Sequence, residues 1–228
     1  MALYDAKDFQ YYRNVRTDII TALGNETFNN VLELGAGGCD TMAYMKKFGL
    51  AQHVTALELF KIPGSNQESP LIDKLLIADL SDIHTLELPE NHFDLIICGD
   101  VLEHIFNPWE IVLYIKRLLR PRGKIICSLP NIRFYRALIN IFLKGDFKYS
   151  KDGILDMTHI RFFCKKNMVM LFRQNGYKIN SILPGFKLNK NEGKSKVLNM
   201  LTFGIFQDFL AFQYILQASI DNIDDKAI

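Results

Sequence analysis

The chain has 228 residues, of which 49% are hydrophobic and 23% are charged, and its formal net charge is +2. This length and composition are typical of one globular domain with a substantial core, and they exclude a disordered chain. A net charge this small does not indicate a nucleic-acid partner, because such partners require a concentrated basic face. Basic residues do gather at 116–124, 133–136, 144–151 and 161–166. These stretches are either solvated surfaces or a sign of an anionic small-molecule partner.

The cysteines and the apolar stretches bear on the cellular compartment. The four cysteines lie far apart, without a metal-type Cys-x-x-Cys spacing, and two of them end apolar runs, so we expect reduced core thiols and a cytoplasmic location. The N-terminal residues lack the apolar segment of a signal peptide. The run Val197–Ile220 is long enough to span a membrane, but Asp208 and Gly204 interrupt it. We expect no membrane span there, but a loop or short helix followed by a buried strand at Leu210–Ser219.

Helix-like and strand-like segments alternate along the chain, which is typical of an α/β fold on a largely parallel sheet. An amphipathic helix is predicted over Lys7–Leu23. Strands are predicted at Asn30–Leu34, His53–Leu59, Leu75–Ala78, Phe93–Cys98 and Lys124–Leu129. Helices are predicted at Thr41–Phe48 and at Trp109–Leu119, after which Pro121 and Gly123 stop the helix.

Three further segments are predicted to lie outside the sheet. Lys61–Pro70 is rich in Pro, Gly, Ser and Asn and reads as a loop, and Lys187–Lys196 reads as a second, Lys-rich loop. Asn131–Asp156 lies between two predicted strands and mixes aromatic with basic side chains. We interpret it as an insertion on the substrate side of a single domain, residues 1–228.

The segment VLELGAGGCDT, residues 31–41, carries the strongest functional signal. An apolar strand runs into Gly35, Gly37 and Gly38, and a helix follows. Glycine allows positive φ angles and close approach of a ligand to the main chain, while the helix N-terminus supplies N–H groups. Structural turns and nicotinamide sites share this pattern, so it indicates a cofactor turn without naming the cofactor.

Acidic residues stand at the ends of the next two predicted strands. Glu58 lies at the distance downstream of the turn at which a carboxylate accepts both hydroxyls of a ribose, although a solvent-facing side chain is the alternative. Asp79 follows the third strand, where a short acid accepts from an adenine amino group or caps a turn.

Several segments together resemble class I S-adenosylmethionine-dependent methyltransferases: VLELGAGG, ALEL, IADL, FDLIICGDVLEHIFNPWEIV and LLRPRGKIICSLPN, within Val31–Asn131. The resemblance implies an α/β, Rossmann-like fold with a seven-stranded, mostly parallel sheet and helices on both faces. It implies an antiparallel terminal hairpin, here Tyr177–Leu183 with Leu210–Ser219. It also implies S-adenosylmethionine as cofactor and S-adenosylhomocysteine as product.

The resemblance assigns the cofactor site residue by residue. The implied cofactor contacts are Gly35 and Gly37 for the methionine part, Glu58 for the ribose, Asp79 and Leu80 for the adenine, and Gly99, Asp100 and His104 to close the pocket. Glu33, Ala36, Leu59 and Val101 are further cofactor-site candidates. Tyr12 and Arg16 on the N-terminal helix are candidates for the methionine carboxylate, or have packing roles. The residues Gly38-Cys39-Asp40 depart from the family pattern, which leaves the methionine contacts open.

Methyl transfer from a sulfonium depends mainly on alignment, and a base is needed only when the acceptor is a hydroxyl. His104 and His159 are the natural candidates for that base. The segment DMTHIRFF, residues 156–163, resembles part of bacterial methyltransferases that act on sugars of surface polysaccharides. This resemblance implies His159 as base, Asp156 as its orienting group and Arg161 as contact for an anionic acceptor. A buried structural histidine is the alternative.

The sequence therefore predicts a methyltransferase that acts on a hydroxyl of a small polar acceptor, such as a sugar or nucleotide-linked sugar in polysaccharide biosynthesis. No metal constellation and no nucleic-acid partner are expected, and Asn-Pro-Pro-Tyr is missing after the fourth predicted strand. One alternative is a non-catalytic cofactor-binding scaffold. Others are a methyltransferase for another small molecule or nucleic acid, and a nicotinamide oxidoreductase, which leaves DVLEH unexplained.

Overall fold

The computed structural model describes residues 12–186 and 192–220. Seven strands form one sheet in the order β3-β2-β1-β4-β5-β7-β6. Strands β1 to β5 are parallel, whereas β7 runs antiparallel to both β5 and β6. The predicted Rossmann-like sheet with its antiparallel hairpin is thus confirmed. The strands are β1 Phe28–Leu34, β2 Ala51–Glu58, β3 Lys74–Ile77, β4 Phe93–Gly99, β5 Leu119–Pro130, β6 Tyr177–Gly185 and β7 Gln213–Ile220.

Helices connect the strands and cover both faces of the sheet. Helix α3 begins where the side chain of Asn107 accepts a hydrogen bond from the Glu110 N–H and Pro108 occupies the first turn, both of which favour a helix start. The α-helices are α1 Thr17–Leu23, α2 Asp40–Lys47, α3 Pro108–Leu118, α4 Tyr135–Leu138, α5 Lys165–Arg173, α6 Glu192–Leu201 and α7 Gln207–Leu210. Short 3₁₀ turns lie at Asn66–Glu68, Leu80–Thr85 and Leu102–His104, and a π-helical turn lies at Ile139–Leu143.

The core lies in two layers, one on each face of the sheet. Successive side chains of a strand point to opposite faces, so Val31 and Leu32 of β1 enter different layers. One layer packs against α3 and α5, and the other packs against α1 and α2. Burial of both faces explains why the central strands are continuous apolar runs.

The predicted N-terminal helix Lys7–Leu23 is too long. Its residues 7–11 lie outside the described residues, and the α-helix begins only at Thr17. The chain before Thr17 bonds to the glycine turn and to α2 instead, because the Tyr12 carbonyl accepts from Gly38 N–H at 2.7 Å and the Arg16 N–H donates to Thr41 Oγ1 at 3.1 Å. These contacts replace the helical hydrogen bonds.

Two predictions for the C-terminal region also need correction. The second predicted loop, Lys187–Lys196, ends earlier, because α6 already begins at Glu192; residues 187–191 lie outside the described residues. The last strand begins at Gln213, since Leu210 closes α7. No described helix is long and apolar enough to cross a membrane.

The segment Asn131–Asp156 contains α4 and the π-helical turn, and it has a small core of its own. Phe134, Ala137, Ile154 and Leu155 are buried together, and Phe212, just before β7, packs against them. This segment therefore lies beside the start of β7, at the edge of the sheet where β4 and β5 end.

Candidate active site

One cavity of about 650 Å³ opens at the carboxyl ends of β1, β2 and β4. Its volume is in the range of small-molecule sites, and its place at a strand-order reversal of the sheet is where such folds bind ligands. Every residue predicted for the cofactor lines it. The sequence analysis did not predict the remaining lining residues, which are Asn14, Asp18, Thr41, Leu57, Phe60, Ala78, Ser81, Ile105, Phe212 and Gln213.

The packing of the protein itself requires glycine in the turn after β1. Gly35 and Gly37 have φ angles of 65° and 53°, which favour glycine. A Cβ on Gly35 would lie 2.3 Å from Cγ2 of Val101, and one on Gly37 would lie 2.9 Å from the carbonyl oxygen of Tyr12. The turn therefore lets two other segments approach the main chain at the base of the cavity.

Glu58, at the end of β2, lines the cavity and is 7% exposed, and each of its carboxylate oxygens accepts a hydrogen bond. Its Oε2 accepts from Gly37 N–H at 2.7 Å, and its Oε1 accepts from Leu59 N–H at 2.8 Å. Burial raises the pKa of Glu58, while these two amide donors oppose the rise. The carboxylate is thus held rigidly where a ribose is predicted.

Arg16 is the centre of a charged network rather than an isolated cation. Its guanidinium donates to Asp18, to Asp100 and to Ser128 Oγ, with N···O distances of 2.9 to 3.0 Å. Burial disfavours its charge, but Asp100 and Asp18 hold its pKa above the ordinary value. The network joins α1 to the ends of β4 and β5, and contact with the cofactor carboxylate remains a prediction.

Glu33 and Asp79 stand at different depths of the cavity. Glu33 is 4% exposed, its Oε2 has no hydrogen-bond partner among the described residues, and burial raises its pKa to about 8 although Arg16 opposes the shift. Asp79 is exposed, and its side chain accepts from Ser81 N–H at 2.8 Å as the cap of a 3₁₀ turn. Asp79 therefore combines the predicted cavity position with the capping role that was its alternative.

His104 lines the cavity on the side opposite to Glu58 and Asp79 along the sheet order. Its Nδ1 lies 3.1 Å from the Thr158 carbonyl oxygen, and its ring packs edge to face on His159 with centroids 4.7 Å apart. Burial, assisted by His159, lowers the pKa of His104 to about 4. The imidazole is therefore neutral at neutral pH, and it has a lone pair to offer.

His159 lies behind His104 and is not part of the cavity lining. It is 8% exposed, its Nδ1 lies 3.0 Å from the Ile154 carbonyl oxygen, and its Nε2 lies 3.8 Å from Oε1 of Glu103. Oδ1 of Asp156 accepts from the N–H and Oγ1 of Thr158. The histidine that reaches the cavity is therefore His104, and the Asp156 carboxylate shapes the loop that carries His159.

Arg161 also lies outside the cavity lining, and its contact with the acceptor remains a prediction. Its Nε donates to the Phe106 carbonyl oxygen at 3.0 Å, and its guanidinium stacks on the rings of Phe106 and Trp109. In the structure the arginine holds the loop that follows His104.

Fold and site together define the class of protein. The strand order, the glycine turn after β1, the buried acid after β2 and the cavity above them form a nucleotide-type cofactor site on a Rossmann-like sheet. The hairpin of β6 and β7 completes the sheet expected of class I methyltransferases.

Comparisons with known proteins agree with that class. The model of a family described as "Methyltransferase domain" matches residues 4–182. A ubiquinone biosynthesis O-methyltransferase of Pasteurella multocida (strain Pm70) is 25% identical over 210 residues, which cover 82% of this chain and 85% of that protein. A S-adenosylmethionine-dependent methyltransferase structure from Mesorhizobium loti superposes with a TM-score of 0.61 at 15% identity, over 89% of this chain and 95% of that one.

The chain belongs to this methyltransferase-domain family. It is a S-adenosylmethionine-dependent methyltransferase, and its product from the cofactor is S-adenosylhomocysteine.

Proposed function

We propose that this enzyme methylates a ring hydroxyl of a small aromatic acceptor at the His104 side of the cavity. The observation that carries the proposal is a neutral imidazole on the wall of a cavity that the apolar side chains of Ile105 and Phe212 also line. The name of the Pasteurella relative supports an oxygen acceptor, since that protein is an O-methyltransferase of ubiquinone biosynthesis.

The cavity divides into two walls. We name the cofactor wall Gly35–Gly37 with Glu58 and Asp79, and the acceptor wall His104–Ile105 with Phe212. Bound S-adenosylmethionine supplies a methyl group on a sulfonium, a good leaving group, so alignment provides most of the rate. The acceptor wall orients the hydroxyl oxygen toward that methyl group, and His104 is the group placed to receive the hydroxyl proton.

The acidity of the acceptor hydroxyl favours a phenol over a sugar. A phenol loses its proton near pH 10 by analogy with tyrosine, whereas an alcohol resembles water, with a pKa of about 15.7. Proton transfer to an imidazole with a pKa of about 4 is therefore far less unfavourable from a phenol. An aromatic acceptor also fits the apolar side chains of the acceptor wall.

A sugar or nucleotide-linked sugar, the acceptor predicted from the sequence, is the competing proposal. It draws on the DMTHIRFF segment and on the basic stretches at 133–136 and 144–151. Arg161, the residue expected to meet an anionic sugar, instead binds Phe106. The geometry therefore favours the aromatic acceptor, and the two are separated by experiment.

The test is methyl transfer from isotope-labelled S-adenosylmethionine to a panel of catechols and hydroxybenzoates and to a panel of nucleotide sugars, read by mass spectrometry. We expect label on a phenolic oxygen. In His104→Gln we expect turnover to fall by about 10²- to 10⁴-fold. The exposed His84, which pairs with Glu110 away from the cavity, provides the matched control His84→Gln. Label on sugars alone would overturn the acceptor class, and full turnover of His104→Gln would overturn the role of His104.

A further inference from the structure

Gln67 lies in the polar loop Lys61–Pro70 after β2, but its side chain is buried, with 8% of the residue exposed. Its Nε2 donates to the carbonyl oxygens of Gly37 at 2.7 Å and Phe60 at 3.3 Å, and its Oε1 accepts from the Ile62 N–H at 2.9 Å. Only the amide nitrogen can donate, so these partners determine which end of the amide faces the glycine turn. Gly37 and Phe60 line the cavity, whereas Gln67 does not. Gln67 therefore reaches the cavity through the main chain of two residues that line it.

The bond to Gly37 holds the peptide unit that joins Gly37 to Gly38. The C=O of this unit accepts from Gln67, and its N–H donates to the Tyr12 carbonyl oxygen at 2.7 Å. A peptide unit between two glycines meets little steric resistance to rotation, because neither residue has a Cβ. A flip would turn the Gly37 carbonyl oxygen toward the Tyr12 carbonyl oxygen and would remove the acceptor of Gln67. The two hydrogen bonds together therefore select one orientation of this peptide.

The other side of Gly37 is bonded to the acid after β2. The Gly37 N–H donates to Oε2 of Glu58 at 2.7 Å, so Gly37 is held by Glu58 at its nitrogen and by Gln67 at its carbonyl oxygen. The glycine turn and Glu58 thus keep their relative positions before a ligand enters. Such preorganisation raises affinity, because a ligand binds the population of protein that already has the competent conformation.

We propose that Gln67 is a positioning residue that locks the Gly37–Gly38 peptide in the orientation that binds S-adenosylmethionine. The inference rests on the cofactor of this family and does not depend on the identity of the acceptor. The neighbouring Asn66 anchors the same loop at a different place, because its Nδ2 donates to Oδ1 of Asp40 at the start of α2, at 2.8 Å. Substitutions of these two neighbours therefore separate a lock on the peptide from general anchorage of the loop.

The test is isothermal titration of S-adenosylmethionine and S-adenosylhomocysteine into the wild type, Gln67→Met, Gln67→Glu and Asn66→Ala. Gln67→Met keeps the length and unbranched shape of the side chain but removes its amide. The carboxyl group of Gln67→Glu donates a hydrogen bond while it is neutral, which burial favours, so the titrations are run at about pH 6. Gln174→Met repeats the substitution at an exposed glutamine. Thermal unfolding of each variant shows that it is folded and how much stability it loses.

We expect Gln67→Met to bind S-adenosylmethionine at least about 10-fold more weakly than the wild type, since a tenfold smaller population of the competent turn raises the apparent Kd tenfold. Asn66→Ala and Gln174→Met should keep wild-type affinity, and Gln67→Glu should bind more tightly than Gln67→Met. Wild-type affinity in folded Gln67→Met, an equal loss in Asn66→Ala, or no gain in Gln67→Glu over Gln67→Met would overturn the lock. These titrations contain no acceptor, so failure of the proposed function would leave their outcome unchanged.

Discussion

Glu58 and Glu103 are both buried carboxyl groups next to the cavity, but their surroundings differ. Glu58 on the cofactor wall accepts two hydrogen bonds from backbone amides, whereas the Glu103 oxygens behind the acceptor wall have no hydrogen-bond partner among the described residues and lie 3.8 Å from His159. Burial raises the pKa of both groups. The amides of Gly37 and Leu59 oppose the rise at Glu58, whereas at Glu103 the charge of Asp100 adds to it and the residue's own amide and Arg16 oppose it. Glu58 is therefore hydrogen-bonded within the protein at the cofactor wall, whereas the Glu103 carboxyl group has no hydrogen-bond partner among the described residues.

The difference follows from how each wall is built. The cofactor wall consists of strand ends and the turns that leave them, so main-chain N–H groups supply its hydrogen bonds. Behind the acceptor wall, the turn after β4 meets the segment before α5. The N–H groups of Ile160 and Arg161 both donate to the Glu103 carbonyl oxygen at 3.0 Å. These contacts use the backbone of Glu103 and leave its side chain to the histidines.

The largest predicted effect is on the free energy of unfolding and concerns Glu33. This buried acid on the cofactor side, unlike Glu58, has an oxygen without a hydrogen-bond partner among the described residues. Its pKa is raised to about 8 in the folded protein from 4.5. The folded state therefore keeps a proton that the unfolded chain has lost, so stability falls as pH rises from about 4.5 to 8. Glu33→Gln removes this loss, which amounts to about 4 kcal/mol by pH 8. Urea unfolding without cofactor, at pH 5 and pH 8, measures the difference between wild type and variant.

A pH dependence that is identical in wild type and Glu33→Gln would show that Glu33 is ionised in the fold. Arg16 would then stabilise the ionised Glu33 as fully as the amides stabilise Glu58.

The second largest predicted effect is the loss of stability in Gly37→Ala, which tests the packing of the glycine turn. The substitution places alanine at a φ of 53° and sets its Cβ 2.9 Å from the Tyr12 carbonyl oxygen. Gly64→Ala is the matched control, since its φ is 72° but nothing lies within 4 Å of its Cβ. Both variants should lose about 1 to 2 kcal/mol from the positive φ. Gly37→Ala should lose at least about 1 kcal/mol more through overpacking.

Thermal unfolding of the two glycine variants checks this ranking. Equal losses would mean that Tyr12 moves away freely, and the N-terminal segment would then not form part of the cofactor wall.

The cofactor wall was predictable from the sequence because its residues stand at fixed places on successive strands. Gly35, Gly37, Glu58 and Asp79 each follow a short apolar run, and parallel strands bring such ends to one edge of the sheet. Phe212 and Gln213 were missed because they enter the cavity from the start of β7, which gives no local signal.

The acceptor wall was not predictable in the same way. The pairing of Glu103 with His159 depends on how a long segment after β5 folds back on the turn after β4, and no local periodicity encodes such a contact. The predicted N-terminal helix failed for a similar reason. Tyr12 lies within the predicted helix, but its carbonyl bonds to Gly38 in the turn. In the N-terminal segment, long-range hydrogen bonds override the local helix preference.

The most direct test asks whether one wall binds the cofactor while the other acts on the acceptor. Isothermal titration measures S-adenosylmethionine binding by the wild type, Glu58→Ala and His104→Gln, and transfer of a labelled methyl group measures their turnover. The exposed Glu68 outside the cavity provides the control Glu68→Ala. We predict that Glu58→Ala weakens cofactor binding by about 10- to 100-fold through loss of charged hydrogen bonds. His104→Gln should keep wild-type affinity and lose turnover. Unchanged affinity in Glu58→Ala, or an equal loss in His104→Gln, would contradict the division of the cavity into a cofactor wall and an acceptor wall.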